Sequence, residues 1–76
     1  MRSLPALNAK KVIKALKRSG FIEDRQKGSH IILIHKIKNK RVVVPIHSGK
    51  TIKKPLLKSI IENDAGLTIE QFLKLL

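Results

Sequence analysis

The chain has no cysteine, no tryptophan and no tyrosine, and only five acidic residues among its 76. Each absence removes a class of protein. Without cysteine there is neither a disulfide framework nor a thiolate zinc site, which fits a reducing cytosolic compartment. Three histidines and five scattered acids make a poor set of metal ligands, so no metal and no other cofactor is expected. Two phenylalanines are the only aromatic residues. The chain therefore lacks the stacking platform on which RNA-recognition motifs and oligonucleotide-binding barrels read several bases. No apolar run approaches the roughly 20 residues of a membrane span. The start, Met1-Arg2-Ser3-Leu4-Pro5-Ala6-Leu7, shows no leader pattern, so a soluble cytoplasmic protein without a membrane partner is expected.

What the chain has in excess is positive charge: 17 Lys and Arg against the five acids, a formal net charge of +12. The excess is uneven. Residues 1–58 carry 16 of the 17 basic residues beside Glu23 and Asp24, whereas residues 59–76 carry Lys74 against Glu62, Asp64 and Glu70. Such a balance suits a polyanionic partner, nucleic acid above all, and the acidic tail stands apart from that surface. A chain of this length makes one domain, residues 1–76, which buries only about 60% of the surface that its unfolded form exposes.

The hydrophobic pattern predicts an α-β-β-β-α order. Asn8 is a good N-cap for a helix from Asn8 to Arg18, in which Val12, Ile13 and Leu16 form the apolar stripe and Lys10, Lys11, Lys14, Lys17 and Arg18 the solvated face; Gly20-Phe21 is its stop signal. Phe21 to Lys27 and His30 to Lys36 read as a hairpin joined at Gly28-Ser29, with glycine first as a type II′ turn requires. A third strand runs from Arg41 to Ile46, after the polar turn Lys38-Asn39-Lys40. Pro55 then opens a second helix with Leu56, Leu57, Ile60 and Ile61 as its stripe, ending before Gly66. Thr68 and Gln71 form a capping box for a short, apolar last helix. The fold class is α+β, a three-stranded antiparallel sheet with helices on one face and a short C-terminal helix.

One feature of this pattern carries chemistry. The hairpin makes His30 the first residue of a strand, held by the ladder yet near the sheet rim, with Arg25 and Lys27 across the turn and Gly28-Ser29 positioning it. RNA cleavage by attack of a ribose 2′-OH on its own phosphate needs a base, an acid for the leaving oxygen and cations for the phosphoryl oxygens. Imidazole titrates near neutral pH and serves as either base or acid. His47, Lys27 and a water are the candidates for the second group, and the sequence does not choose between them. His35 reads as structural or surface, and Ser29 as part of the turn. Lys50, Lys53 and Lys54 precede Pro55, where a helix N-terminus disfavours cations; they make sense as contacts to RNA phosphate.

Gly20-Phe21, Arg25-Gln26-Lys27-Gly28-Ser29-His30, the aliphatic strand to His35, Val44-Pro45-Ile46-His47 and Leu56 onward resemble the HicA ribonuclease toxins of prokaryotic toxin-antitoxin pairs. The likeness covers most of the chain. It implies a fold like the double-stranded-RNA-binding domain, mRNA cleavage by a catalytic histidine at His30, and neutralisation by a HicB antitoxin. The turn at Ile37-Lys38-Asn39-Lys40 departs from the family in lacking a glycine, and Pro55 stands where a small residue is usual. The first reading is a metal-independent endoribonuclease toxin, monomeric when free, with mRNA and a HicB-like antitoxin as partners. A non-catalytic double-stranded-RNA- or DNA-binding module is the alternative, and an adaptor for acidic proteins is a third reading that leaves His30 unexplained.

Overall fold

The asparagine at position 8 ends a two-residue strand and starts a helix. Its backbone is extended, and its Oδ1 accepts the Lys11 N–H at 3.0 Å, capping α1 (Ala9–Arg18). The computed structural model describes residues 4–47 and 49–76; Met1, Arg2 and Ser3, which entered the reading of the chain's start, and Ser48 lie outside the described residues. Val12, Ile13 and Leu16 of α1 are buried as predicted, and its five basic residues are exposed. The helix stops in a Schellman motif: the Gly20 N–H donates to the Lys17 carbonyl and the Phe21 N–H to the Leu16 carbonyl, both at 3.1 Å. Gly20 has φ +110°, a left-handed conformation that permits this reversal. Phe21 is thereby turned into the core, and the strand expected to start there starts one residue later.

Three strands, β2 (Ile22–Lys27), β3 (His30–His35) and β4 (Lys40–Pro45), form an antiparallel sheet in the order β2-β3-β4. Lys27 pairs with His30 across Gly28-Ser29. Gly28 has φ +60° while Ser29 stays outside the left-handed region, the pattern of a type II′ turn. β3 ends one residue earlier than predicted and β4 sits one residue earlier at both ends, because His35 pairs with Lys40 and the intervening turn bends at Asn39, φ +54°. A feature with no forewarning in the pattern is the short ladder of β1 (Leu7–Asn8) with β5 (Thr51–Ile52), which anchors the loop after β4 to the start of α1.

Pro55 lies in the first turn of α2 (Lys54–Ser59), where its missing N–H costs no helical bond. The chain then widens into a π-helical turn, Ile60–Asp64, closed by the Ala65 N–H to the Ile60 carbonyl at 2.8 Å. Leu57, Ile60 and Ile61 fill the inward face, so Leu56, expected in the buried stripe, is instead 45% exposed. The predicted capping box opens α3 (Ile69–Leu73): Thr68 Oγ1 accepts the Gln71 N–H at 3.0 Å, and Gln71 Oε1 accepts the Thr68 N–H at 2.9 Å. Phe72 of α3 is fully buried, and Arg18 ties the last turn to α1 by donating to the Leu75 carbonyl at 2.7 Å. Leu16, Leu33, Val42, Val44, Leu57, Ile61 and Phe72 belong to one hydrophobic core between the helices and one face of the sheet. The architecture is the α+β, α-β-β-β-α arrangement expected. Among the described residues no helix is long and apolar enough to cross a membrane.

Candidate active site

Strand register arranges the open face of the sheet in three rows. Ile22, Ile34 and Arg41 make the first, Arg25, Ile32 and Val43 the second, and Lys27, His30 and Pro45 the third. Residues paired across antiparallel strands share a face. The alternate rows, Glu23-Leu33-Val42 and Gln26-Ile31-Val44, point the other way, and the complete burial of Leu33, Val42 and Val44 identifies theirs as the core face. Of the two aliphatic pairs on β3, Ile32 and Ile34 therefore lie on the side away from the helices.

A bulge at Asp24 makes this arrangement possible. Glu23 pairs with Leu33 and Arg25 with the next residue along β3, Ile32, so Asp24 is an extra residue in β2. Strict alternation would place Arg25 and Lys27 on the core face with Glu23. The inserted residue turns both onto the face of His30. Arg25 Nε donates to Asp24 Oδ2 at 3.1 Å, which holds the guanidinium beside the bulge. Lys17 meets Glu23 at 3.0 Å on the other side of the strand, joining β2 to α1.

His30 is exposed at the end of the central strand, flanked by Lys27 and Pro45. Its turn is braced twice: Gln26 Nε2 donates to the Gly28 carbonyl at 3.3 Å, and the Ile46 N–H donates to the Ser29 carbonyl at 2.6 Å. The second bond fastens the histidine hairpin to the end of β4. Beyond Pro45 a groove of about 370 Å³ is lined by Pro45, His47, Lys50, Thr51, Ile52, Lys53 and Leu56. It gathers three of the predicted site residues, His47, Lys50 and Lys53. The Lys50 N–H donates to the His47 carbonyl at 3.0 Å, closing the turn that presents them. Lys54 is exposed at the start of α2 and is not among the residues lining this groove.

His35 stands apart from this site. It is on the core face, 8% exposed, with Nδ1 accepting the Lys38 N–H at 3.2 Å and its ring edge-on to Phe21 at 5.2 Å. It is a structural residue. Sequence reasoning passed over Arg41, Pro45 and Leu56. The first two were findable only from the pairing register with β3, and the third only from the packing of α2, which buries Leu57 and leaves Leu56 at the surface.

A family model of the HicA toxin of bacterial toxin-antitoxin systems matches residues 9–67. The chain belongs to the HicA toxin family. The matched span runs from the start of α1 past the π-helical turn and includes every candidate site residue from Arg25 to Lys54. In this HicA-family chain α3 lies beyond the match and joins the same core through Phe72. No curated protein gives a significant match over the chain.

Proposed function

We propose that this HicA-family toxin is an endoribonuclease that cleaves mRNA through His30 and is held in check by an acidic HicB-like antitoxin, residues 1–76 acting as one domain. The observation that carries the reading is the third row of the open face. An exposed imidazole stands between a lysine and a proline on the central strand, with Arg25 one row away and its turn fastened at both carbonyls. His35, by contrast, is buried and hydrogen-bonded within the fold.

RNA enters along the basic surface, drawn by the +12 charge. A phosphate at His30 meets Lys27 and Arg25, whose charges offset the negative charge that builds on the phosphoryl oxygens. The ribose 2′-oxygen loses its proton to a base and bonds to phosphorus. The 5′ oxygen leaves with a proton from an acid, giving a 2′,3′-cyclic phosphate and a free 5′-hydroxyl. His30 fills one of these two roles, and His47, Lys27 or a water fills the other. The antitoxin covers the open face, where Ile22, Ile34 and Val43 lie among Arg25, Lys27 and Arg41; an apolar patch ringed by cations suits an acidic partner.

The test is His30→Ala assayed on a long mRNA, with circular dichroism as the folding control. Cleavage falls by roughly 10²–10⁴-fold, the usual share of a general acid or base. Because His30 is exposed, the fold is retained. Undiminished cleavage by the folded variant sinks the assignment. RNA binding without cleavage by the parent protein would favour the non-catalytic double-stranded-RNA- or DNA-binding module.

A further inference from the structure

Pro45 faces two ways. Across the sheet it pairs with His30, and beyond the sheet it walls the groove with Ile52 and Leu56, under a rim of His47, Lys50 and Lys53. A volume of about 370 Å³ falls within the range of small-ligand sites. Leu56 is 45% exposed, whereas Leu57, Ile60 and Ile61 in the following turns are at most 1% exposed. A large aliphatic side chain is thus left at the surface amid lysines. An apolar slot rimmed by cations matches the two halves of a nucleotide, a base with apolar faces and an anionic phosphate. Position favours the same occupant. Antiparallel partners have Cα atoms about 4.5–5.5 Å apart, so the groove begins one strand away from the histidine.

We infer that this groove is a nucleobase subsite, in which the nucleotide adjoining the phosphate at His30 lays its base between Pro45 and Leu56 while Lys50 and Lys53 hold its phosphate. The inference rests on the ribonuclease reading and adds to it a determinant of where the RNA is gripped. The walls are aliphatic and the chain has no Tyr or Trp, so the base is held by burial and shape, with no stacking platform to rank one base over another. Cleavage is therefore selective for an unpaired base at this position and tolerant of its identity.

Two measurements test it. In the first, the folded His30→Ala protein is titrated with a nucleoside 3′-monophosphate and, separately, with inorganic phosphate, while the methyl signals of Leu56 and Ile52 are followed by NMR. The nucleotide shifts both methyls, and phosphate alone leaves them in place. In the second, Leu56→Ala is assayed on unpaired RNA substrates that differ in the base at this position: KM rises by up to about tenfold with kcat within about twofold, and by about the same factor for each base. Circular dichroism reports the fold of this variant. Equal shifts from nucleotide and from phosphate make the groove an anion site and overturn the inference. So does a Leu56 methyl that answers to an acidic peptide but not to nucleotide, which assigns the groove to a protein partner. The two readings fail separately. If the parent does not cleave RNA but nucleotide shifts the methyls, the ribonuclease reading falls and nucleotide binding in the groove stands; if RNA is cleaved and the methyls stay silent, the subsite falls alone.

Discussion

Replacing Gly20 by alanine strains the fold in two separable ways. The backbone there has φ +110°, and a Cβ at this position would lie 2.6 Å from His35 Nε2 and 3.2 Å from its Cδ2. Left-handed backbone costs an L-residue roughly 1–2 kcal/mol. The ring has little room to retreat, being 8% exposed, bonded at Nδ1 to the Lys38 N–H and set edge-on against Phe21. Forced repacking of this kind costs roughly another 1–3 kcal/mol. The total, roughly 2–5 kcal/mol, is a large share of the roughly 4–11 kcal/mol that a domain of this size holds. Thermal unfolding followed by circular dichroism reads it as a fall of at least about 8 °C, at about 4–8 °C per kcal/mol. Gly49→Ala supplies the control, since Gly49 has φ +72° but, among the described residues, nothing within 4 Å of its added Cβ. It loses only the backbone share. In a His35→Ala background the clash disappears and Gly20→Ala falls to the cost of Gly49→Ala. Equal losses from Gly20→Ala and Gly49→Ala in the parent would refute the argument that His35 occupies the space beside Gly20.

Three further expectations concern the lysines before Pro55, the antitoxin and α3. Replacing Lys50, Lys53 and Lys54 with Gln weakens RNA binding about equally across sequences and flattens the log-log salt dependence by at most roughly one unit per lost phosphate contact; an unchanged slope means these lysines touch no phosphate. Hydrogen exchange on the antitoxin complex shows slowed exchange at the hairpin from Lys27 to His30, and protection confined to the helices would exclude inhibition by covering that face. Thr68→Ala removes half of the capping box and costs roughly 0.5–2 kcal/mol in urea unfolding, with RNA cleavage per folded molecule unaltered because α3 is remote from the open face; reduced cleavage by folded variant would tie α3 to the site.

Signals confined to a few neighbouring residues were legible in the sequence. Asn8, Gly20, the Gly28-Ser29 turn and the Thr68/Gln71 box each act through bonds to backbone within a few positions, and each occurs where the pattern placed it. What escaped depends on distant or cumulative geometry. The β1–β5 ladder joins pairs of residues more than forty positions apart, too short to show alternation. The π-helical turn has no residue code of its own, and with four aliphatics at 56, 57, 60 and 61 only the packing shows that Leu57, Ile60 and Ile61 take the inward face and Leu56 does not. In the site, His30 and its turn were legible. The face shared by His30, Arg25 and Lys27 was not, since alternation along β2 predicts the opposite face for Arg25 until the bulge at Asp24 is seen.

That bulge has a bearing on how the chain behaves alone. Sheets three strands wide tend to recruit a fourth strand from another molecule, because an edge displays a row of unused N–H and C=O groups. Here β2 meets solvent along its whole length, with four of its six residues, Glu23, Asp24, Arg25 and Lys27, charged around a kinked backbone. The other edge, β4, begins with Lys40-Arg41 and ends in Pro45, which has no N–H to offer. Neither border welcomes a stranger's strand. Borders of this kind offer a second copy of the chain little to pair with, so the sheet can keep its open face uncovered without extending edge to edge.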